Sequence, residues 1–187
     1  MVLANERLLE QLRSAFQGVT REGGVSWLEA DIIDVYGTAL ARKEARDKET
    51  DHIWMDVAVD PNWLIDHYDS NWSFLDAIGF RYYLPAAMAR HLVLGKPVLE
   101  SYRLTPPDNL GQWRFSQEQI AVIVGYINHC ISEEAWRRLD QALEELGIEL
   151  ESYLETNPEF EIDPIEWSEW REAMYFWTRI LSSGKTI

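Results

Sequence analysis

The chain has 187 residues, of which 47% are hydrophobic and 26% charged, and its 32 acidic and 17 basic residues give a net charge of -15. This length suffices for a hydrophobic core, so we predict a single domain over residues 1–187 that needs neither a disulfide nor a metal to fold. The acidic balance argues against binding to nucleic acids or to anionic membranes, since both require clustered Lys and Arg.

The expected compartment follows from the cysteine content and the apolar runs. Cys130 is the only cysteine, so no intramolecular disulfide can form and a reducing environment is expected. The first residues lack the apolar stretch of a secretory signal, and "IAVIVGYI" is too short to cross a bilayer. We therefore predict a soluble, cytoplasmic protein.

Helical spacing dominates the first half of the chain. Asn5 is predicted to cap a first helix with the apolar face Leu8, Leu9, Leu12, Ala15 and Phe16. Ser26 and Glu29 match a capping box that opens a helix through "WLEADIIDVYGTALARKEARDKE". Its predicted apolar face is Leu28, Ile32, Val35, Tyr36, Ala39 and Leu40. The alternation in "DHIWMDVAV" is compatible with one short strand, although a single short run does not make a sheet.

The middle of the chain is predicted to be helical around a proline. Asp60 and Pro61 are typical of the start of a brief helix. Asp76 can cap a helix with Pro85 inside its pattern, so the helix either kinks there, which we favour, or begins at Pro85. Its predicted apolar face is Phe80, Leu84, Ala87, Met88, His91 and Leu92.

After a loop-rich connector, the second half is predicted to contain three more helices. Ser116 and Gln119 form a capping box before "QEQIAVIVGYINHCI", and Ser132 is predicted to begin a separate acidic helix with the buried stripe Trp136, Leu139, Leu143 and Leu146. Asp163 and Pro164 precede a helix with the inward face Trp167, Trp170, Met174 and Trp177. The sum is an all-α fold of about six or seven helices, with at most one short strand or hairpin.

The standard signatures of catalysis are missing from the sequence. It contains no glycine-rich phosphate loop, HExxH or GxSxG. The four histidines, His52, His67, His91 and His129, lie on different segments without metal-ligand spacing. Neighbouring His129 and Cys130 would not face each other on a helix. We therefore predict no catalytic residue, no metal and no cofactor.

Two sets of residues are candidates for binding. Asp31, Asp34, Arg81, Tyr82 and Tyr83 could line a pocket for an anionic or planar ligand. The alternative is that the aromatic stretch is a structural hub in which Arg81 needs a carboxylate partner, with Glu29, Asp31 and Asp34 as candidates.

The second set lies in the acidic region from Glu133 to Glu172, which has 14 acidic and 3 basic residues. Such a field favours encounter with a basic protein. The candidate contact residues are Glu161, Asp163, Glu166, Trp167, Glu169 and Trp170, which combine aromatic anchors with a negative rim. The alternatives are a solvated surface for the carboxylates and core packing for the tryptophans.

Three passages, "FQGVTREGGVSWLEADIIDVYG", "SFLDAIGFRYYLPAAMARHL" and "RFSQEQIAVIVGYI", carry a family resemblance. Together they resemble an uncharacterised bacterial family of small, acidic, helical proteins that is known only as a domain of unknown function. The resemblance covers residues 7–130 and does not extend into the acidic, Trp-rich tail. It implies a bacterial, cytoplasmic protein with one domain, and it brings no catalytic residues.

These observations favour a non-catalytic acidic binding protein of the immunity or inhibitor kind, which would occupy a basic partner such as a nuclease. A small-ligand-binding protein or enzyme with a pocket around Arg81 is the alternative. A third hypothesis is an interaction module that self-associates through exposed tryptophans.

Overall fold

The computed structural model describes residues 2–49, 53–63, 69–95, 98–105, 114–159 and 168–184. Within these ranges the chain forms eight α-helices and no strand, which confirms the all-α prediction but exceeds the predicted number of helices. The helices are α1 (Val2–Ala15), α2 (Trp27–Asp34), α3 (Ala39–Lys48), α4 (Trp54–Val59), α5 (Ala77–Leu94), α6 (Gln117–Glu145), α7 (Leu150–Thr156) and α8 (Arg171–Ser183). Short 3-10 turns cover Asp69–Phe74 and Ser101–Leu104.

Helix α5 lies at the centre of the hydrophobic core. It is buried without interruption from Tyr82 to Ala89, which is the pattern of a helix surrounded by protein on all sides. Asp76 caps it as predicted, because its carboxylate accepts the N–H of Gly79. Pro85 lies inside one helix, so the alternative start at Pro85 is wrong. Helices α1 and α4 pack against α5.

Helix α6 runs for 29 residues, so the prediction of a separate helix beginning at Ser132 is wrong. The hydroxyl of Ser132 donates to the carbonyl of Asn128 within the same helix, 3.0 Å away, and does not cap a new one. The capping box of Ser116 and Gln119 at its start is confirmed. Of the predicted stripe on its second half, Leu143 is buried, whereas Trp136 and Leu146 are exposed.

The long second helix of the prediction is two helices, α2 and α3. Tyr36 adopts a positive φ of 56°, which ends the helical path, and the hydroxyl of Thr38 accepts the N–H of Ala41 to cap α3. The predicted apolar face is therefore wrong, because most of its members are exposed. Leu28, Val35, Leu40 and above all Tyr36, which is 97% exposed, lie on the surface.

Two further local predictions are wrong. Helix α1 begins at Val2, so Asn5 lies inside it, although the predicted face is confirmed by the burial of Leu8, Leu12 and Phe16. The predicted strand is helix α4, whose buried residues Trp54, Val57 and Ala58 follow helical spacing. The indole N–H of Trp54 donates to the carbonyl of Phe16 at 2.9 Å, which joins α4 to the end of α1.

Helix α8 closes the core against α6 and the turn Ser101–Leu104. Trp170, Met174 and Trp177 are buried, as predicted for its inward face. Trp167, the predicted cap at Asp163 and Pro164, and most of the brief helix predicted after Pro61 lie outside the described residues. Among the described helices, none has the length and apolar character that crossing a bilayer requires.

Candidate metal centre

Three possible metal ligands converge where the end of α5 meets the middle of α6. His91 lies in the last turn of α5, whereas His129 and Glu133 are four residues apart on α6 and so share one helix face. One carboxylate oxygen of Glu133 is 3.1 Å from Nε2 of His91, and its other oxygen is 3.3 Å from Nε2 of His129. All three ligand atoms lie within 4.8 Å of one another.

The two imidazole nitrogens are close to the carboxylate without being well hydrogen-bonded to it. Both Nε2 atoms are buried, and neither forms a hydrogen bond of good geometry with any described residue. The side chains of His91 and His129 are only 3% and 12% exposed, and that of Glu133 is 33% exposed. Buried polar atoms are normally satisfied, which makes these two nitrogens candidates for binding an additional partner.

His91 is held in the uncharged state that metal coordination requires. Its burial disfavours the imidazolium and lowers its pKa, and the charge of His129 acts in the same direction. The neighbouring carboxylate of Glu133 opposes this by favouring the charged form, but burial prevails. The ring is therefore neutral near pH 7 and has one nitrogen lone pair to offer.

The other ring nitrogen of His91 contacts two buried groups. Its Nδ1 lies 2.8 Å from the hydroxyl of Tyr126 and 3.9 Å from the sulfur of Cys130. Burial raises the pKa of the Cys130 thiol and that of the Tyr126 phenol, so both keep their protons at neutral pH. Cys130 is therefore not an activated nucleophile.

A cleft of about 320 Å³ adjoins the cluster and is lined by two of its members, His91 and Glu133. His91, Cys130 and Glu133 line its floor, and Trp136, Arg137 and Trp170 contribute to its walls. The neighbouring carboxylate of Glu134 has a structural role. It pairs with Arg138 at 2.6 Å and accepts the hydroxyl of Ser168 at 2.6 Å, which fixes the approach to α8.

The five residues predicted to bind a ligand lie apart from this centre. Tyr82 and Tyr83 are buried, and the hydroxyl of Tyr83 accepts the N–H of Trp27 at 2.9 Å. Asp34 accepts a hydrogen bond from Ser70, and Asp31 is half-buried on α2. Arg81 is half-buried on α5, and Glu29, one of its predicted partners, pairs with Arg42 and Arg46.

The residues predicted to bind a partner are only partly described. Glu161, Asp163, Glu166 and Trp167 lie outside the described residues. The side chain of Glu169 is 75% exposed and lies 3.8 Å from Arg138. Trp170 is buried, and its ring packs edge-on against that of Tyr126 with centroids 6.0 Å apart.

Sequence reasoning missed the cluster because His91 precedes its partners by 38 residues or more. One signal was present, namely the spacing of four residues between His129 and Glu133, which places two ligands on one helix face. His52 and His67 lie outside the described residues.

Comparisons with known proteins give one match. The model of a family described as a family of unknown function matches residues 4–157. No curated protein and no solved structure matches the chain. The matched range includes His91, His129 and Glu133, whereas Trp170 and α8 lie beyond it.

Proposed function

We propose that the protein, which belongs to that family, DUF6714, binds a divalent transition-metal ion, with Zn²⁺ as the first choice, through His91, His129 and Glu133. The observation that carries the proposal is the convergence of two buried, unsatisfied imidazole nitrogens on one carboxylate.

The measured distances support an ion between these side chains. With metal–nitrogen distances of about 2.1 Å, two ligands are about 3.0 Å apart at right angles and about 3.4 Å apart at the tetrahedral angle. The nitrogen–oxygen distances of 3.1 and 3.3 Å fall within this range. These two contacts are therefore compatible with an ion held between each imidazole and the carboxylate of Glu133.

The ligand types favour a transition metal over Ca²⁺ or Mg²⁺. Imidazole nitrogens suit Zn²⁺, Fe²⁺, Ni²⁺ and Cu²⁺, whereas Ca²⁺ and Mg²⁺ prefer oxygen ligands. Three protein ligands leave at least one coordination position, and the adjoining cleft gives water access to it. Catalytic zinc sites have this open arrangement, in contrast to closed structural sites with four protein ligands. When bound, Zn²⁺ would supply Lewis acidity at the floor of the cleft.

Calorimetry tests the proposal directly. The protein is stripped of metal with a chelator and titrated with ZnCl₂ in excess Mg²⁺, which occupies the acidic surface. We expect one site per chain, and a loss of affinity of about 100-fold or more in His129→Gln and Glu133→Gln, since loss of an outer-shell partner alone costs about 10- to 100-fold. Zn²⁺ should also raise the melting temperature of the wild type, because it binds the folded state.

Glu144→Gln is the matched control. Glu144 is an exposed carboxylate on the same helix, so its loss changes the net charge in the same way as Glu133→Gln but leaves the cluster intact. Equal Zn²⁺ affinity in Glu144→Gln and Glu133→Gln would show that Zn²⁺ binds to the acidic surface in general and not to the cluster. A wild-type protein that binds no Zn²⁺ would refute the proposed function.

A second candidate function is binding of a basic protein partner, which one feature of the surface favours. Helix α7 buries none of its residues, and a run of exposed carboxylates, here called the acidic face, extends along the chain from the end of α6 through α7. The exposed carboxylates are those of Asp140, Glu144, Glu145, Glu149, Glu151, Glu155 and Glu159. A field of one sign accelerates association with an oppositely charged partner.

This second function is tested by retention from lysate of the source at low salt, followed by a salt gradient. A basic protein should bind the wild type, leave at moderate salt and fail to bind when Glu144, Glu145, Glu151 and Glu155 are changed to Gln. The control variant carries Glu6→Gln and Glu10→Gln on α1. Both side chains are exposed, and both residues are far along the sequence from the acidic face. Equal retention by all three proteins would contradict the assignment.

A further inference from the structure

We infer that Tyr126 is a positioning residue of the metal site, an inference that rests on the proposed function. Its hydroxyl accepts the Nδ1–H of His91 and thereby leaves the lone pair of Nε2 directed toward His129 and Glu133. Tyr126 does not contact the metal itself, and it acts by selecting the tautomer and the ring orientation of His91.

The packing around Tyr126 holds its hydroxyl in place. The tyrosine is fully buried, and its oxygen lies 2.8 Å from Nδ1 of His91. The ring packs edge-on against His91 on one side and against Trp170 on another, with interplanar angles of 83° in both pairs. Rotation of either ring is therefore restricted, and the hydrogen bond fixes the imidazole plane.

The direction of this hydrogen bond decides whether His91 can coordinate a metal. If the phenol donates to Nδ1, the single proton of the neutral imidazole is on Nε2 and blocks the ligand position. If the phenol accepts from Nδ1–H, Nε2 is free. The phenol then needs another acceptor for its own proton, because an unsatisfied buried hydroxyl is costly.

Cys130 provides that acceptor. Its sulfur lies 3.9 Å from the same Nδ1 atom of His91, and Cys130 is one turn from Tyr126 on the same helix, which places the sulfur beside the phenol. The chain of donors then runs from Nδ1–H of His91 to the oxygen of Tyr126, and from the hydroxyl of Tyr126 to the sulfur of Cys130. Metal-binding histidines commonly make such a bond through their second nitrogen, and its loss typically weakens metal affinity about 10- to 100-fold.

Tyr126→Phe tests the inference, because it removes one oxygen and preserves the buried ring. Affinity is measured with Zn²⁺ and Co²⁺ by competition with a chromophoric chelator, and the visible absorption spectrum of the Co²⁺ form reports the ligand geometry. We expect Tyr126→Phe to bind about 10- to 100-fold more weakly and to show an altered Co²⁺ spectrum. Tyr83→Phe is the control, since it also removes a buried, hydrogen-bonded hydroxyl but lies away from the cleft.

If Tyr126 has only a structural role, both variants will have a lower melting temperature, but Tyr126→Phe will keep the metal affinity and the Co²⁺ spectrum of the wild type. That result would overturn the inference and leave the proposed function standing. If the wild type binds neither ion, both fail.

Substitution of Cys130 gives a second test of the inference and leaves Tyr126 unchanged. Cys130→Ser retains an acceptor for the phenol and should bind Co²⁺ nearly as the wild type does. Cys130→Ala removes the acceptor, so the phenol should donate to Nδ1 and the affinity should fall. Equal affinity in the two variants would contradict the proposed direction of the hydrogen bonds, even if Tyr126→Phe failed to fold.

Discussion

Glu29 is a fully buried carboxylate that joins α2 to α3. Arg46 donates to both of its oxygens at 2.6 Å, and Arg42 adds a third contact at 3.3 Å. Burial alone would raise the pKa of Glu29, but the hydrogen bonds and charge of Arg46, followed by the hydrogen bond of Arg42, prevail and lower it. The charged form is therefore the one that the fold stabilises.

The lowered pKa predicts how stability depends on pH. The contribution of Glu29 is fully present above its ordinary pKa of 4.5 and is lost as the pH falls through the lower pKa of the folded state. We expect Glu29→Gln to cost about 2 kcal/mol at pH 7, because both arginines lose charged hydrogen bonds but remain partly in water. Urea unfolding from pH 7 to pH 3 should show a weaker acid dependence in Glu29→Gln than in the wild type.

Asp47→Asn provides the comparison for this experiment. Asp47 pairs with Lys43 at 2.7 Å, but both side chains are mostly exposed, at 58% and 71%. Exposed ion pairs of this kind contribute little to stability, because water screens both charges. If Asp47→Asn cost as much as Glu29→Gln, burial would not be the decisive difference between the two pairs.

The candidate metal ligands show how far single residues can be interpreted from sequence. The spacing of His129 and Glu133 is visible in the sequence, but pairs of polar residues four positions apart are also common on solvent-exposed helix faces. The third ligand, His91, was assigned correctly to the apolar face of its own helix. Its approach to Glu133 depends on how α5 and α6 are placed, which no local pattern specifies.

At the scale of elements, the start of α5 is set by a close approach of the loop before α2. The carboxylate of Asp76 accepts N–H groups from Gly79 and from Val25, at 2.8 and 3.1 Å. A Cβ atom on Gly79 would lie 2.5 Å from the carbonyl oxygen of Val25, which is backbone and cannot easily move. The capping signal was evident from the sequence, whereas the close contact was not.

Gly79→Ala should therefore destabilise the protein. Alanine favours a helix by about 1 kcal/mol over glycine, but the clash with Val25 should outweigh this gain and leave a net loss of about 1–3 kcal/mol. Gly125→Ala on α6 is the matched substitution, since its Cβ would meet only the flexible end of Leu8, at 3.2 Å. The melting temperature of Gly79→Ala should be well below that of Gly125→Ala, and the opposite order would contradict a clash at Gly79.

The wrongly predicted helix ends in α2, α3 and α6 have one physical cause. Periodicity continues from α2 into α3, yet Tyr36, Gly37 and Thr38 form a turn with its own helix cap. In α6 the opposite error occurs. Ser132 resembles the first residue of a new helix, but its hydroxyl donates to a carbonyl of the same helix, which continues without a break. A potential cap is used only if the chain turns there, and packing decides whether it turns.

At the scale of the molecule, α8 joins the same hydrophobic core as the segments matched by the family model. Trp177 is fully buried, its ring packs edge-on against Phe115 at 5.7 Å, and its N–H donates to the carbonyl of Leu104 at 2.8 Å. The core cluster that contains it also contains Leu12 of α1 and Tyr83 of α5. Helix α8, which lies beyond the matched range, therefore packs as part of the same core as the matched region.

Trp177→Ala should destabilise the whole of this core by about 3–5 kcal/mol, because it leaves a large cavity and removes the partner of a buried carbonyl. Urea unfolding followed by far-ultraviolet circular dichroism and by tryptophan fluorescence should shift to lower urea by the same amount with both probes. An exposed aromatic such as Tyr175→Ala should change the midpoint little, since its side chain is 63% exposed. Separate transitions for the two probes would show that α8 unfolds independently.

The sequence by itself determined the helical class, the caps at Asp76 and Ser116, most of the buried residues of α1 and α8, and one buried face of α5, because these depend on contacts within a few residues. Only the tertiary structure decided that α2 and α3 separate, that Trp54 lies on a helix, and that His91 meets His129 and Glu133. Charge and spacing along the chain are local properties, whereas a metal centre requires side chains from two helices at a fixed distance. That distance is set by the packing of the entire core.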